Sequence, residues 1–389
     1  MNFDKTINRK GTNCIKWDSL EEAFGRKDLI PLWIADMDFE VCKEISDAII
    51  NRANHTIYGY PKTPTEFWNA IIDWNKNRHN IEYGKEEICY MPGIVRGIAY
   101  IVNFFTQKGE KILIQTPVYH PFANVSKGNK RIVIESPLQY SDGKISMDFD
   151  GLEEIIKAEK PKLMILCNPH NPGGIIWDKE SLAKVAHICA ENGVIVISDE
   201  IHSDIELFGN KFTPFLSVSD EARQCGIALG APSKTFNIPG IVSSWCAIKN
   251  KDLRKDFFEW MEVNEFSEPT MFVTGATIAA YEHGEYWLKE LLKYLEDNIL
   301  YVEERLKSIP GINPVRPQAS FLLWLDCHGL RLSPRELDNL FIKHAGLALN
   351  NGDMFGKGGE GFMRMNIACP KATLEQALNN LEKAIQETA

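Results

Sequence analysis

No run of apolar residues in this chain approaches the roughly 18 that a membrane-spanning helix needs. The opening residues, MNFDKTINRKG, have no apolar core of the kind a secretory leader carries. Positive charge is in deficit: 43 Lys and Arg face 53 Asp and Glu, a formal charge of −10. That balance argues against nucleic acid or an anionic membrane as partner, while a local basic pocket for a small anion stays open. Nine cysteines are present, but no C-x-x-C pair. Zinc sites and disulfide frameworks are therefore not signalled, and free thiols in a reducing, cytoplasmic setting are expected. Internal repeats and low-complexity segments are missing too. At 389 residues the chain exceeds what one hydrophobic core usually organises, so a large domain and a smaller one are expected.

What is present in the middle of the chain is alternation. KILIQTP (111–117), RIVIESP (131–137), KLMILCNP (162–169), VIVISDE (194–200) and GIALGAP (226–232) read as strands. They are almost continuously apolar, as strands covered on both faces should be. Amphipathic stretches separate them, the clearest being DKESLAKVAHICAENG (178–193), with an acidic start and a glycine stop. This pattern predicts an α/β fold with a mostly parallel sheet between helices. After about residue 285 the texture changes. A long helix over 286–311, a strand over 321–326, a helix over 333–346, a strand over 361–368 and a closing helix over 373–388 predict a smaller α+β unit. The turn-rich first 45 residues are expected to pack against it. The resulting division is a large domain over 46–284 and a small one from 1–45 and 285–389.

Ligands of open parallel sheets lie beyond the carboxyl ends of the strands. Those positions here hold Tyr119, Asn171, Asp199 with His202, and Lys234. Each has an ordinary explanation: a loop anchor, a turn in NPHNPGG, a helix cap, a lysine snorkelling to the surface. Asp199, His202 and Asp204 could also suggest a metal, but no second cluster supports one. The four strand ends together point elsewhere. Lys234 stands in LGAPSKTFNIPG (229–240) with no acid nearby in sequence. A neutral amine in a dry pocket is a nucleophile for an aldehyde, forming a Schiff base. A buried carboxylate can hold a pyridinium N–H, an aromatic ring can stack, and an amide can donate to a phenolate. Pyridoxal 5′-phosphate combines those features. For its phosphate, MPGIVRGIAYIVNFF (91–105) offers Gly93, Ile94 and Val95 at a helix start. GKGGEG (356–361) has dinucleotide-loop spacing but precedes a strand rather than a helix, so it is read as a flexible loop.

The chain resembles the fold type I pyridoxal-phosphate enzymes of the class I/II aminotransferase superfamily. It is most similar to the MalY/PatB-type cystathionine β-lyases, also called carbon–sulfur lyases. The resemblance spans nearly the whole length and is carried by NRKGTNCIKWD (8–18), PLWIADMDF (31–39), HTIYGY (55–60), CNPHNPGG (167–174), ISDEIHSDI (197–205), APSKTFNIPG (231–240) and GFMRMNIACP (361–370). It implies a large domain built on a seven-stranded sheet. It also implies that Lys234 bonds the cofactor aldehyde, Asp199 holds the pyridine nitrogen, Asn171 the O3′ oxygen, and Tyr119 stacks on the ring. His202 falls where many aminotransferases have a tyrosine that donates to O3′. Arg364 would grip the substrate α-carboxylate. Tyr60 would reach the phosphate of a neighbouring subunit, making a homodimer with interfacial active sites. Trp33, Ile34 and Ala35 are placed beside the substrate by position.

Two departures stand out. The superfamily often has a serine three residues before the lysine and an arginine several after it. This chain has Ala231 and Val242 in that neighbourhood, with Ser233 as a partial substitute. Phe321 stands where the lyase pattern often has tyrosine, and is given no role. The expected activity is β-elimination from L-cystathionine and related cysteine S-conjugates, giving a thiol, pyruvate and ammonia. The alternative is transamination between an amino acid and a keto acid.

Overall fold

In the computed structural model, which describes residues 1–388, all five apolar runs form strands of one sheet. Its seven strands are β1 (Ile88–Met91), β2 (Lys111–Ile114), β3 (Ile132–Glu135), β4 (Leu163–Cys167), β5 (Ile195–Asp199), β6 (Gly226–Gly230) and β7 (Ser244–Ala247). They lie in the order β1-β7-β6-β5-β4-β2-β3. Only β7 opposes its neighbours; β2 to β6 pair in parallel.

Burial explains the unbroken apolar runs. Ile112, Ile114, Leu163, Ile165, Ile197, Ile227 and Leu229 face one core. The alternating residues Leu113, Met164, Leu166, Val196 and Ala228 face the other. Side chains along a strand point to opposite faces, so a sheet buried on both sides needs apolar residues at every position. The edge strand β3 has no such demand, and its Ile132 is exposed.

β1 and β7 are the strands that sequence periodicity left unassigned. Each has only four residues, and their antiparallel pairing is a tertiary contact with no local pattern. A second, antiparallel sheet of four strands contains Leu322–Asp326 beside Phe362–Asn366. Ile30–Pro31 pairs in parallel with Leu347–Ala348, which ties the N-terminal segment to the C-terminal part of the chain.

One predicted helix differs from expectation. The 333–346 stretch begins as an α-helix over Pro334–Asp338, opened by a Ser333/Glu336 capping box, then widens into a π-helix over Asn339–His344. The wider turn keeps Leu337, Leu340 and Phe341 buried together. The GKGGEG loop is close-packed as well as glycine-rich. A Cβ on Gly356, whose φ is +91°, would lie 2.8 Å from the Thr116 side chain. Among the described residues no helix is long and apolar enough to cross a membrane.

Candidate active site

The carboxyl ends of β4, β5 and β6 open onto a cavity of about 290 Å³. Of the predicted residues, Gly93, Ile94, Val95, Tyr119, Asn171, Asp199, His202, Ser233, Lys234 and Ala35 line it.

Asp199 ends β5 and is almost fully buried, accepting a hydrogen bond from the Ile201 amide at 3.1 Å. Burial raises its carboxyl pKa to about 7, against the opposing pull of that amide and of Lys234. Lys234 sits in the short helix Pro232–Thr235, with proline at the first turn, where a missing N–H is tolerated. Its Nζ donates to the Ala35 carbonyl at 2.5 Å. Burial lowers this amine to about 8; Asp36 and Asp199 oppose the shift and Arg364 adds to it. Tyr119 is locked to the next strand end by its amide, which donates to the Asn171 carbonyl at 3.0 Å. His202 is held neutral, its pKa lowered to about 3 by burial and by the nearby cations Lys234 and Arg364. Its ring meets Phe321 edge-on at 6.0 Å, and its Nδ1 has no partner.

Arg364 comes from the other sheet. Its Nη1 donates to Asn171 Oδ1 at 2.9 Å, and its Nη2 to the Trp33 carbonyl at 3.0 Å and Asn350 Oδ1 at 2.6 Å. The guanidinium lies 4.9 Å from the Phe355 ring centre, and its buried Nε is unpartnered. Burial lowers its pKa to about 10, which still leaves it charged at neutral pH.

At the far end of the cavity, Gly93 has φ +100° and precedes the helix Ile94–Phe105. The first N–H groups of a helix lack partners within it, and the helix dipole favours an anion there. Ser243 and Ser244, which the sequence reading missed, line the same cavity, as does Ser233. Val242 turns the chain toward them at φ +55°, a conformation uncommon for a β-branched residue. The two serines escaped notice because they open β7, whose pairing is invisible locally. Pro92, Arg96, Cys167, Ile201 and Pro239, also missed, line the cavity too.

Arg364, Tyr60, Trp33, Ile34 and Ala231, also singled out in the sequence, lie outside the cavity lining. Tyr60 is fully exposed at 107% and does not line the cavity of its own chain. Ile34 and Trp33 stand behind the wall: the Ile34 carbonyl accepts from Asn366, and the Trp33 ring packs on Phe24. Ala231 is buried. No cluster of metal-ligating side chains exists among the described residues.

The donor set suits pyridoxal 5′-phosphate. A buried carboxyl lacking a close cationic partner, a buried amine of lowered basicity and an anion-binding helix start surround one space.

Comparison with known proteins agrees. Residues 27–381 match the family model for aminotransferase class I and II. The chain belongs to this family. Over 386 residues it is 40% identical to cystathionine beta-lyase PatB of Bacillus subtilis (strain 168), spanning 99% of this chain and 100% of that one. A pyridoxal-phosphate-bound protein of Clostridium difficile 630, provisionally named an aminotransferase, superposes with a TM-score of 0.95 at 39% identity, covering 99% of both chains. The pyridoxal-phosphate-bound C-S lyase of Staphylococcus hominis gives 0.91 at 34% identity, covering 99% of this chain and 98% of that one. The fold is therefore fold type I, and pyridoxal 5′-phosphate is the family's cofactor, as the residues alone implied.

Proposed function

We propose that the protein is a pyridoxal-phosphate-dependent carbon–sulfur β-lyase that cleaves L-cystathionine and related cysteine S-conjugates to a thiol, pyruvate and ammonia. One observation carries this reading. The residues that would hold the ring and its amine line one cavity, and Arg364 is hydrogen-bonded to Asn171 of that lining, in a chain 40% identical end to end to a cystathionine β-lyase.

When bound, the cofactor supplies an aldehyde for an amine and an electron-withdrawing ring conjugated to the substrate α-carbon. The chain's residues do the rest. Asp199 holds the pyridine nitrogen, and a cation there returns its carboxyl to the ionised form. Tyr119 covers the ring face, and Asn171 Nδ2 is free to donate to the ring oxygen while its Oδ1 orients Arg364. Ile94, Val95, Ser233, Ser243 and Ser244 hold the phosphate. Arg364 presents a planar fork to the substrate α-carboxylate. Lys234, neutral above about pH 8, takes the α-proton on Nζ. Loss of the sulfur substituent as thiol follows, and water later releases pyruvate and ammonia.

The same reading includes a large domain over 46–284, a small one from 1–45 and 285–389, and a homodimer in a reducing cytoplasm. The exposure of Tyr60 favours a partner that covers it, and nine free thiols favour the compartment. Residue 389 lies outside the described residues.

Transamination shares these residues up to proton removal and is the rival. L-Cystathionine supplied without any keto acid separates the two. Sustained, equimolar pyruvate and free thiol are expected; turnover that appears only with an added keto acid would replace the lyase reading.

A further inference from the structure

The segment Trp33–Phe39 passes beside the active site and is held to an unusual degree by its carbonyls. Five in succession accept a side-chain donor. The Trp33 carbonyl takes Arg364 Nη2 at 3.0 Å, Ile34 takes Asn366 Nδ2 at 2.6 Å, and Ala35 takes Lys234 Nζ at 2.5 Å. Asp36 takes Lys16 Nζ at 3.1 Å and Asn366 Nδ2 at 2.7 Å. Met37 takes Arg9 Nη1 and Asn237 Nδ2, each at 3.1 Å. Ordinary loops leave many carbonyls to water; this one does not.

The two carboxylates of the segment are matched by two cations from the N-terminal residues. Arg9 reaches Asp36 Oδ2 at 2.8 Å and Asp38 Oδ1 at 2.7 Å. Lys16 is completely buried, with its Nζ 2.8 Å from Asp38 Oδ2 and 3.7 Å from Asp36 Oδ1. Trp17 Nε1 adds a donor to Asp38 Oδ1 at 3.1 Å. Desolvating four charges gains little stability over an apolar packing, because the loss of hydration offsets the attraction. The arrangement does fix geometry: Ala35, the residue before Asp36, has the carbonyl on which the Lys234 amine rests.

We propose that the charge quartet Arg9, Lys16, Asp36 and Asp38 is a positioning device for Lys234, fixing where its amine rests and which charges face it. The inference rests on the cofactor role given to Lys234 above. Lys234 is faced by Asp36 from this segment, by Asp199 from β5 and by Arg364 from the second sheet, with neutral His202 and Tyr119 in the same wall. Asp36 is the one facing charge whose own environment the N-terminal residues control. None of the quartet lines the cavity, so they act through the backbone and through the field at Lys234.

The test is a pH titration of the visible band of the bound cofactor in the holoenzyme, comparing wild type, Asp36→Asn and Lys16→Gln. Asp36→Asn removes a negative charge facing the nitrogen but keeps an acceptor for Arg9. Its midpoint is expected to fall by about half a pH unit or more. Lys16→Gln removes a positive charge from behind Asp36, and its midpoint is expected to rise. A merely structural quartet would lower the melting temperature and leave both midpoints in place, which would overturn the proposal, as would shifts of the same sign. If Lys16→Gln does not fold, Asp36→Asn decides alone. Absence of any lysine-dependent band in wild type, with Lys234→Ala as the control, would instead remove the cofactor reading.

Discussion

The cavity has two sides built in different ways. The cofactor side comes from consecutive strand ends of one sheet, Asn171 after β4, Asp199 at the end of β5 and Lys234 after β6. On the proposed reading the substrate side is Arg364, which reaches the cavity lining through Asn171 and is held by Asn350 and the Trp33 carbonyl, the latter more than 300 residues away in the chain. The first is anchored by strands apolar on both faces, which cannot shift without exposing a core. The second depends on hydrogen bonds between side chains and carbonyls, which are directional and individually weaker. On the proposed reading the chemistry stands on the rigid side, and recognition of the substrate on the adjustable one.

That contrast can be broken by substitution. The largest effect is expected from Lys234→Ala, which removes the amine that takes the α-proton. Turnover of L-cystathionine should fall by roughly 10⁴-fold or more, with loss of the lysine-bound cofactor band. Asp199→Asn keeps the shape and deletes the charge beneath the ring nitrogen. A fall in kcat of about 10²–10³-fold is expected while cofactor remains bound; an unchanged kcat would place the carboxylate outside the chemistry. Arg364→Lys tests the other side. Lysine cannot present a planar fork, so KM should rise about 10–100-fold with a smaller change in kcat. A fall in kcat alone would erase the distinction between the two sides.

The pH profile sharpens the same division. Burial lowers Lys234 from the ordinary lysine range to about 8, and only the neutral amine can accept a proton. kcat should therefore rise as pH passes upward through about 8, dropping about tenfold per unit below it. Arg364, lowered only to about 10, stays charged across that window, so KM should change little. The smallest effect is expected from Gly93→Ala. At φ +100° any side chain is strained, and the new Cβ would meet Val242 at 3.4 Å. A loss of about 1–2 kcal/mol in thermal or denaturant unfolding is expected, with weaker retention of cofactor.

Legibility in the sequence followed the same boundary. Lys234, Asp199, Asn171 and Tyr119 could be found because each follows an apolar run, and the topology of parallel sheets dictates what strand ends do. Arg364 stood out only through its place in an apolar strand and the family resemblance; nothing local tells that it donates to Asn171, 193 positions away. Ser243 and Ser244 were missed because β7 is short and antiparallel, and because the turn at Val242 that aims them is unusual for its residue type. Lys16 carries no local sign of its setting. By composition it would be an ordinary surface charge, yet it is wholly enclosed between two aspartates.

The sequence by itself determined the alternating layers, the positions where polar residues leave the sheet, and the cofactor those residues suit, since apolar periodicity and residue chemistry are local properties. Only the tertiary structure decided how the second sheet meets the first, which carbonyl receives the lysine amine, and which charges face it. Those are contacts between segments hundreds of residues apart. Their energies depend on burial and distance, and neither is written in the order of residues along the chain.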